Sequence, residues 1–183
     1  LTVPSYYEFF PTPPWVVAQF LRQVELPGGF WLEPAYGNGA IVRAVKSMRD
    51  DVTWMTNDIQ PGAILQTDYT SQPGALLGSQ CFDVCLTNPP FSLSLLFAAQ
   101  ALRDAKAVAL LLRLCWLSGK EDRRGFLKEH PPAVWLLPNR PTFTGDGKTD
   151  SQEYAWFCWG CGGDPGTHHQ LEPMGVEERR QWG

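Results

Sequence analysis

The chain has 183 residues, 44% of them apolar, with 15 basic and 19 acidic side chains and a net charge of −4. That length suits one domain of about 100 to 200 residues with a full core, and the acidic balance excludes a chain-wide basic footprint for nucleic acid, so any such surface must be local. No stretch approaches the roughly 20 uninterrupted apolar residues of a membrane span, and "LTVPSYYEFF" lacks the basic start and apolar run of a signal peptide, so a soluble cytoplasmic protein is expected.

Along the chain, Thr12 before Pro13 has the form of a helix start, a side-chain cap with proline in the first turn. The aromatics Tyr6, Tyr7, Phe9 and Phe10 precede it and suit either core packing or a cover over a ligand. The runs "GFWLEPA" (29 to 35), "VTWMTND" (52 to 58), "AILQTD" (63 to 68), "FDVCLTN" (82 to 88), "AVALLLRL" (107 to 114) and "AVWLLP" (133 to 138) are short, apolar and ended by polar or turn residues, which predicts strands. Helical spacing lies between most of them, at Ile41 to Arg49, Leu93 to Arg103 and Glu121 to His130. Strands alternating with helices give an α/β fold, a parallel sheet covered on both faces. The run "EYAWFCWG" (153 to 160) follows a polar loop of 14 residues, 139 to 152, too short for a usual crossover helix, so it should pair antiparallel as the last strand. The Gly/Pro-rich segment 160 to 183 reads as a loosely organised tail of a single domain spanning 1 to 183.

Five cysteines form an odd set, and most sit in apolar runs where a thiol acts as a small hydrophobe. Cys158 and Cys161 have CxxC spacing with His168 and His169 beyond. A second cysteine pair at finger spacing is missing and "YAWFCWG" alternates like a strand, so no metal is expected.

In open parallel sheets ligands bind outside the carboxyl ends of the strands. Those ends carry Glu33, Asp58, Asp68 and Asn88. After the first strand, "EPAYGNGA" opens a helix, and Gly37 and Gly39 permit a tight turn close to a ligand; a purely structural strand-to-helix turn has the same pattern. The third glycine of a dinucleotide fingerprint and the GK[ST] of a P-loop are both missing. Asp58, 19 residues beyond Gly39, is placed to accept from ribose hydroxyls. Glu33 suits an ammonium better than a phosphate, and Asp68 could accept from an adenine amino group. Ribose plus amine without pyrophosphate describes S-adenosylmethionine.

The segment Glu33-Pro34-Ala35-Tyr36-Gly37-Asn38-Gly39, followed by Asn88-Pro89-Pro90-Phe91, resembles the class I amino-methyltransferases, specifically the DNA adenine-N6 methyltransferases. The resemblance covers most of the chain: "FFPTPPWVVAQFL" resembles the family's N-terminal cofactor motif, and "RPTFTGDGKTDSQEYAWFCWG" the loop and final strand of small phage- and prophage-type members. It implies a Rossmann-like class I methyltransferase fold with a mostly parallel sheet, an antiparallel last strand and helices on both faces. The implied cofactor is S-adenosylmethionine, held by Phe10, Thr12, Pro13, Glu33, Pro34, Gly37, Gly39, Asp58 and Asp68, and the implied partner is DNA, duplex or single-stranded.

Within NPPF, the Asn88 side-chain oxygen and the Pro89 carbonyl would grip the two N–H bonds of an adenine N6 amine and aim its lone pair at a methyl-sulfonium. Proline fixes its own φ and Pro90 holds Pro89 extended, while neither offers a competing N–H. Phe91 would expose a face for a base turned out of its stack. An Asn-Pro turn with no catalytic role is the alternative reading. No separate target-recognition domain fits, since 19 residues separate Asp68 from Asn88 and 23 follow Gly160. DNA contacts then fall to Lys120, Arg123 and Arg124 in the 116 to 126 loop and to Arg140 and Lys148 in the 139 to 152 loop, with weak or short-motif specificity. An amine in RNA, a protein glutamine amide, or a scaffold without catalysis are the rival readings of the same motifs.

Overall fold

A computed structural model describes residues 10–71, 75–119, 121–143 and 151–182. Its centre is an eight-stranded sheet built from β1 (Gly29–Glu33), β2 (Val52–Asp58), β3 (Leu65–Gln66), β4 (Phe82–Thr87), β5 (Ala105–Arg113), β6 (Ala133–Leu136), β7 (Tyr154–Trp159) and β8 (His168–Gln170). The spatial order is β3-β2-β1-β4-β5-β7-β6-β8. The first five strands in that order run parallel, and β7 lies antiparallel between β5 and β6.

Alternation along each strand explains how the sheet takes helices on both faces. Ala107, Ala109 and Leu111 of β5 join Trp156 and Cys158 of β7 in one apolar cluster, capped by Val16, Val17 and Phe20 of α1 (Pro14–Leu21) and Ile41 and Val45 of α2 (Ala40–Lys46). Val108, Leu110 and Leu112 point the other way with Phe157, against Phe97 and Ala101 of α3 (Ser94–Asp104) and Phe126 of α4 (Glu121–Glu129). A strand buried on both faces has no polar face to display, which is why these runs read as continuously apolar. The large aromatic side chains interlock there: the Phe20 and Trp156 rings stack at 4.7 Å.

Two expectations change. The antiparallel strand is inside the sheet and is not the last, because β8 follows it and pairs parallel to β6. The segment after Gly160 is not loose: His169 stacks on Trp135 at 4.4 Å, Leu171 and Met174 are buried, and α5 (Val176–Arg180) ties back to α1 through an Arg22–Glu178 ion pair. The Gln19 amide also donates to the Glu172 carbonyl at 2.7 Å. None of the helices among the described residues is long and apolar enough to cross a membrane.

Candidate active site

The strand order turns outward from the β1/β4 pair, with β2 and β3 on one side and β5 and β7 on the other. Such a reversal opens a crevice at the carboxyl ends of the two central strands, where no crossover helix can close over both. Glu33 ends β1 and Asn88 directly follows β4, so these two side chains flank the crevice.

Glu33 is 1% exposed. Its Oε1 accepts from the Ala35 N–H at 3.2 Å, while Oε2 has no hydrogen-bond partner among the described residues. Burial pushes its carboxyl well above the ordinary value, the Thr87 hydroxyl and the Ala35 N–H oppose the shift, and the Asp58 charge adds to it. Thr87 Oγ1 lies beside this carboxyl without the geometry of a complete hydrogen bond.

Asn88 shows how a side-chain amide is aimed. Its nitrogen donates to the Phe10 carbonyl and to Thr12 Oγ1, both at 3.0 Å. The Phe10 carbonyl can only accept, so the nitrogen must face it, and this fixes the direction of the oxygen. That oxygen, Oδ1, is buried and has no partner among the described residues. Thr12 is therefore not the helix cap the sequence suggested. The cap position is Pro13, without a side-chain hydrogen bond, and α1 starts at Pro14. The buried Thr12 hydroxyl serves Asn88 instead.

The glycine turn is real and serves mainly its own loop. Gly37 and Gly39 have φ of 53° and 74°, and a Cβ on Gly39 would lie 2.5 to 2.9 Å from the Tyr36 ring and hydroxyl. Asp58 holds this turn: Oδ2 accepts from the Gly37 N–H and Oδ1 from the Gln60 N–H, each at 2.8 Å. A carboxylate has about four lone-pair sites, so both oxygens keep one for a further donor. Asp68 is exposed and caps the turn Tyr69–Ser71, with Oδ1 accepting from the Thr70 N–H and hydroxyl and Oδ2 from the Ser71 hydroxyl. The Ser71 and Thr70 hydroxyls hold its carboxyl below the ordinary range. Behind it, the buried Tyr69 hydroxyl donates to Asp104 at 2.6 Å and anchors the turn to α3.

Phe91 is half-buried, where an exposed ring was expected. It stacks on Phe10 at 5.5 Å and 29°, tilts against Tyr154 at 5.7 Å, and carries the Arg113 guanidinium 4.5 Å from its centroid. Pro89 is buried and Pro90 has φ −52° and ψ 124°, extended as proline prefers.

The basic residues divide. Arg123 lies over the Trp116 ring at 5.6 Å and donates to the Trp116 carbonyl, Arg140 pairs with Glu153, and Arg124 is exposed on α4. Lys120 and Lys148 lie outside the described residues, as do Tyr6, Tyr7 and Phe9. The structure brings Phe10, Thr12, Glu33, Asp58 and the NPPF segment to one edge.

Three contributors were not found from sequence. Asn57 is fully buried in β2 and cross-links the segments after β1 and β3, donating to the Pro34 and Thr67 carbonyls and accepting from the Thr67 N–H and hydroxyl. Its place next to Asp58, one residue before the strand end, was the available signal. Arg113 and Tyr154 reach NPPF from β5 and β7, inside runs that read only as strands.

No protein-family model matches the sequence, and no curated protein matches it. The fold, in contrast, matches solved structures. A putative class I S-adenosylmethionine-dependent methyltransferase from Listeria monocytogenes superposes with a TM-score of 0.57 at 14% identity, covering 85% of this chain and 62% of that one. A modification subunit of a putative type I restriction enzyme from Vibrio vulnificus YJ016 gives 0.62 at 14% identity, covering 96% and 49%. A putative RNA methyltransferase from Pyrococcus horikoshii gives 0.58 at 15%, covering 86% and 88%. The chain thus has the Rossmann-like class I methyltransferase fold. It spans about half the length of the type I modification subunit it resembles.

Proposed function

We propose that the chain transfers a methyl group from S-adenosylmethionine to the N6 amine of adenine in DNA. The observation that carries this reading is the Asn88 amide: both its donors are consumed inside the fold, and its one acceptor is buried without a hydrogen-bond partner among the described residues, at the strand edge where ligands bind in such sheets. A buried acceptor left unsatisfied costs about 1 to 3 kcal/mol, and a substrate N–H would recover that.

The residues fit the cofactor. Glu33 Oε2, which has no hydrogen-bond partner among the described residues, suits the ammonium of its methionyl part, which would restore the carboxylate that burial disfavours. Asp58 has acceptor capacity for ribose hydroxyls. Asp68 has less to spare for an adenine amine, since its oxygens already serve Thr70 and Ser71. When bound, S-adenosylmethionine supplies a methyl group on a positively charged sulfur.

Asn88 Oδ1 and the Pro89 carbonyl accept the two N–H bonds of the amine and draw its lone pair out of the adenine ring. Held in this way, the nitrogen would present its lone pair to the methyl group that the cofactor would supply, and one amine proton would pass to solvent. Preorganised acceptors of this kind need no reorientation during the reaction, which is where their effect on rate arises. No general base is needed, because the methylated cation is acidic.

The test is transfer of tritiated methyl to duplex DNA, single-stranded DNA, RNA and protein in parallel, with nucleoside analysis of the product. N6-methyladenine from DNA is expected. Label confined to RNA or to a protein glutamine would move the substrate assignment, and label nowhere would sink the enzymatic reading.

A further inference from the structure

α1 and α2 pack side by side on one face of the sheet, and Gln181 and Trp182, just after α5, border the groove between them. The result is a cleft of about 440 Å³. Its charged lining is Arg22 and Arg43, and no acidic side chain is among the described residues that line it. In a chain of net charge −4 such a cleft runs against the composition. Each guanidinium is steadied at one nitrogen. Arg22 pairs with Glu178 through Nη1 and lies 5.7 Å from the centroid of the Trp182 ring, and Arg43 Nη1 donates to the Asn38 carbonyl in the glycine turn. A guanidinium has five N–H donors, so both arginines keep Nε and Nη2 without a hydrogen-bond partner among the described residues. The dipole of α2 favours a cation in its last turn, where Arg43 and Lys46 stand. It does not explain why α1 adds an arginine to the same cleft from its own C-terminal end.

The cleft also has a direction. Pro14 lines it two residues after Thr12, which binds Asn88, and Arg43 is bonded to the turn after β1, so it starts beside the crevice. From Pro14 to Arg22 it follows α1 for about 12 Å at 1.5 Å per residue, a track and not a pit. Resting on the nucleic-acid reading of the crevice, we propose that this cleft carries the sugar–phosphate backbone of the strand whose base enters there, with Arg22 and Arg43 each on a phosphate. The planar fork of a guanidinium matches phosphate oxygens two at a time, and here both forks are held at one end and open at the other. Glu178 is no obstacle: the Arg22–Glu178 pair is 43% and 41% exposed, so a phosphate can share Arg22 or take it at small cost. Contacts of this kind place a strand without reading its sequence.

The experiment follows a fluorescein-labelled, single-stranded oligothymidylate by anisotropy across salt concentrations, on the full chain saturated with S-adenosylhomocysteine. The probe has no adenine, so the N6 site does not select it. Arg22→Gln/Arg43→Gln should weaken binding and flatten the slope of log affinity against log salt by about 1.4, two single-strand phosphates at about 0.7 each. Arg22→Lys/Arg43→Lys keeps both charges and should hold the slope. Two further variants leave the arginines in place. Ser47→Glu puts a carboxylate in the cleft and should weaken binding, while Glu178→Gln frees Arg22 and should tighten it about 1.5- to 5-fold, the span of one exposed ion pair. An unchanged slope in the folded double glutamine variant, or equal loss in the double lysine variant, would overturn the proposal. Binding that ignores both Ser47→Glu and Glu178→Gln would also overturn it. So would displacement of the oligonucleotide by an equal concentration of thymidine 5′-monophosphate, which would make the cleft a site for a free nucleotide. Methyl transfer to the four acceptors separates the two readings. Transfer to DNA with the slope unchanged defeats the cleft alone. A flattened slope without transfer to any nucleic acid defeats the methyltransferase reading and leaves the cleft as a strand-binding track.

Discussion

At the ends of β1 and β4, Glu33 and Asn88 each bury an oxygen that has no hydrogen-bond partner among the described residues, whereas at the ends of β2 and β3, Asp58 and Asp68 spend their oxygens on their own loops. Those two oxygens of the inner pair give the free fold no hydrogen bond among the described residues, although Glu33 Oε1 and the Asn88 nitrogen do hold Ala35, Phe10 and Thr12. The outer pair pins the glycine turn and the turn at Tyr69–Ser71, and it would be retained for that alone. Burial without a partner does not by itself mark a site, since Gln19 Oε1, Trp54 Nε1 and Trp156 Nε1 share it inside α1, β2 and β7. Position adds the information: the inner pair stands at the crevice opened by the reversal of strand order. Four polar strand ends thus separate into two that keep a buried oxygen unspent among the described residues and two whose oxygens serve their own loops.

The largest expected effect comes from the inner pair. Asn88→Ala should lower single-turnover methyl transfer by about 100-fold or more, on the order of 3 kcal/mol, as for loss of one oxyanion-hole donor, with cofactor affinity nearly unchanged. If cofactor affinity falls in parallel, Asn88 belongs with the loop-holding groups, and the comparison breaks at its centre.

For the outer pair, Asp58→Ala should cost in two places. Losing a charge-assisted bond to each ribose hydroxyl weakens S-adenosylmethionine binding by about 1.5 to 3 kcal/mol per bond. Losing the acceptor for Gly37 and Gln60 should also lower the melting temperature of the free protein, which calorimetry and thermal unfolding read separately. A mutant that melts normally would make Asp58 a pure ligand group and erase its difference from Glu33.

How far this division was legible beforehand follows from its physics. Strands buried on both faces announce themselves as apolar runs, and their polar ends announce the site edge, so Glu33, Asp58, Asp68 and Asn88 could be named from the chain. What the ends do with their oxygens depends on neighbours distant in sequence. The bond from Asn88 to Thr12 spans 76 positions, and Thr12-Pro13 looks locally like any helix start. Arg113 is hidden for the opposite reason: "AVALLLRL" reads as one strand, and nothing local marks the single charge in it as a reach toward NPPF. β8 was missed because "HHQ" has neither length nor apolar alternation, and its pairing follows from the edge that β6 presents.

Glu33 sharpens the comparison through pH. Its folded-state value lies well above the ordinary 4.5 because burial disfavours the charge. The folded protein therefore holds this proton where the unfolded chain has released it. The stability it confers is complete below the unfolded value and is lost as pH rises through the folded value. Glu33→Gln should flatten that decline in the free protein and hold or raise its melting temperature at pH 8, while weakening S-adenosylmethionine binding. In the unaltered protein the cofactor's ammonium should flatten the same decline. An unchanged slope in Glu33→Gln would mean that the carboxyl is already compensated inside the fold, like Asp58.

The same criterion, whether a polar group is spent inside the fold, separates neighbours on α4 and predicts the smallest effect. Arg123 covers Trp116 and donates to its carbonyl, while Arg124 is exposed one residue later. If this face meets DNA, Arg124 supplies a phosphate contact, and Arg124→Gln should flatten the slope of log affinity against log salt by about 0.9 on duplex or about 0.7 on a single strand. The loss should be similar across unrelated sequences, because phosphate contacts position the substrate without reading it. Arg123→Gln should leave the slope alone and cost about 0.5 to 1 kcal/mol of stability, the value of an exposed cation–π contact. Equal flattening by both variants would show Arg123 leaving Trp116 for a phosphate. If neither variant changes the slope, α4 is a solvated face: its acidic first turn, Glu121 and Asp122, then outweighs the arginines, and DNA approaches the crevice from the β5 and β7 side, past Arg113 and Tyr154.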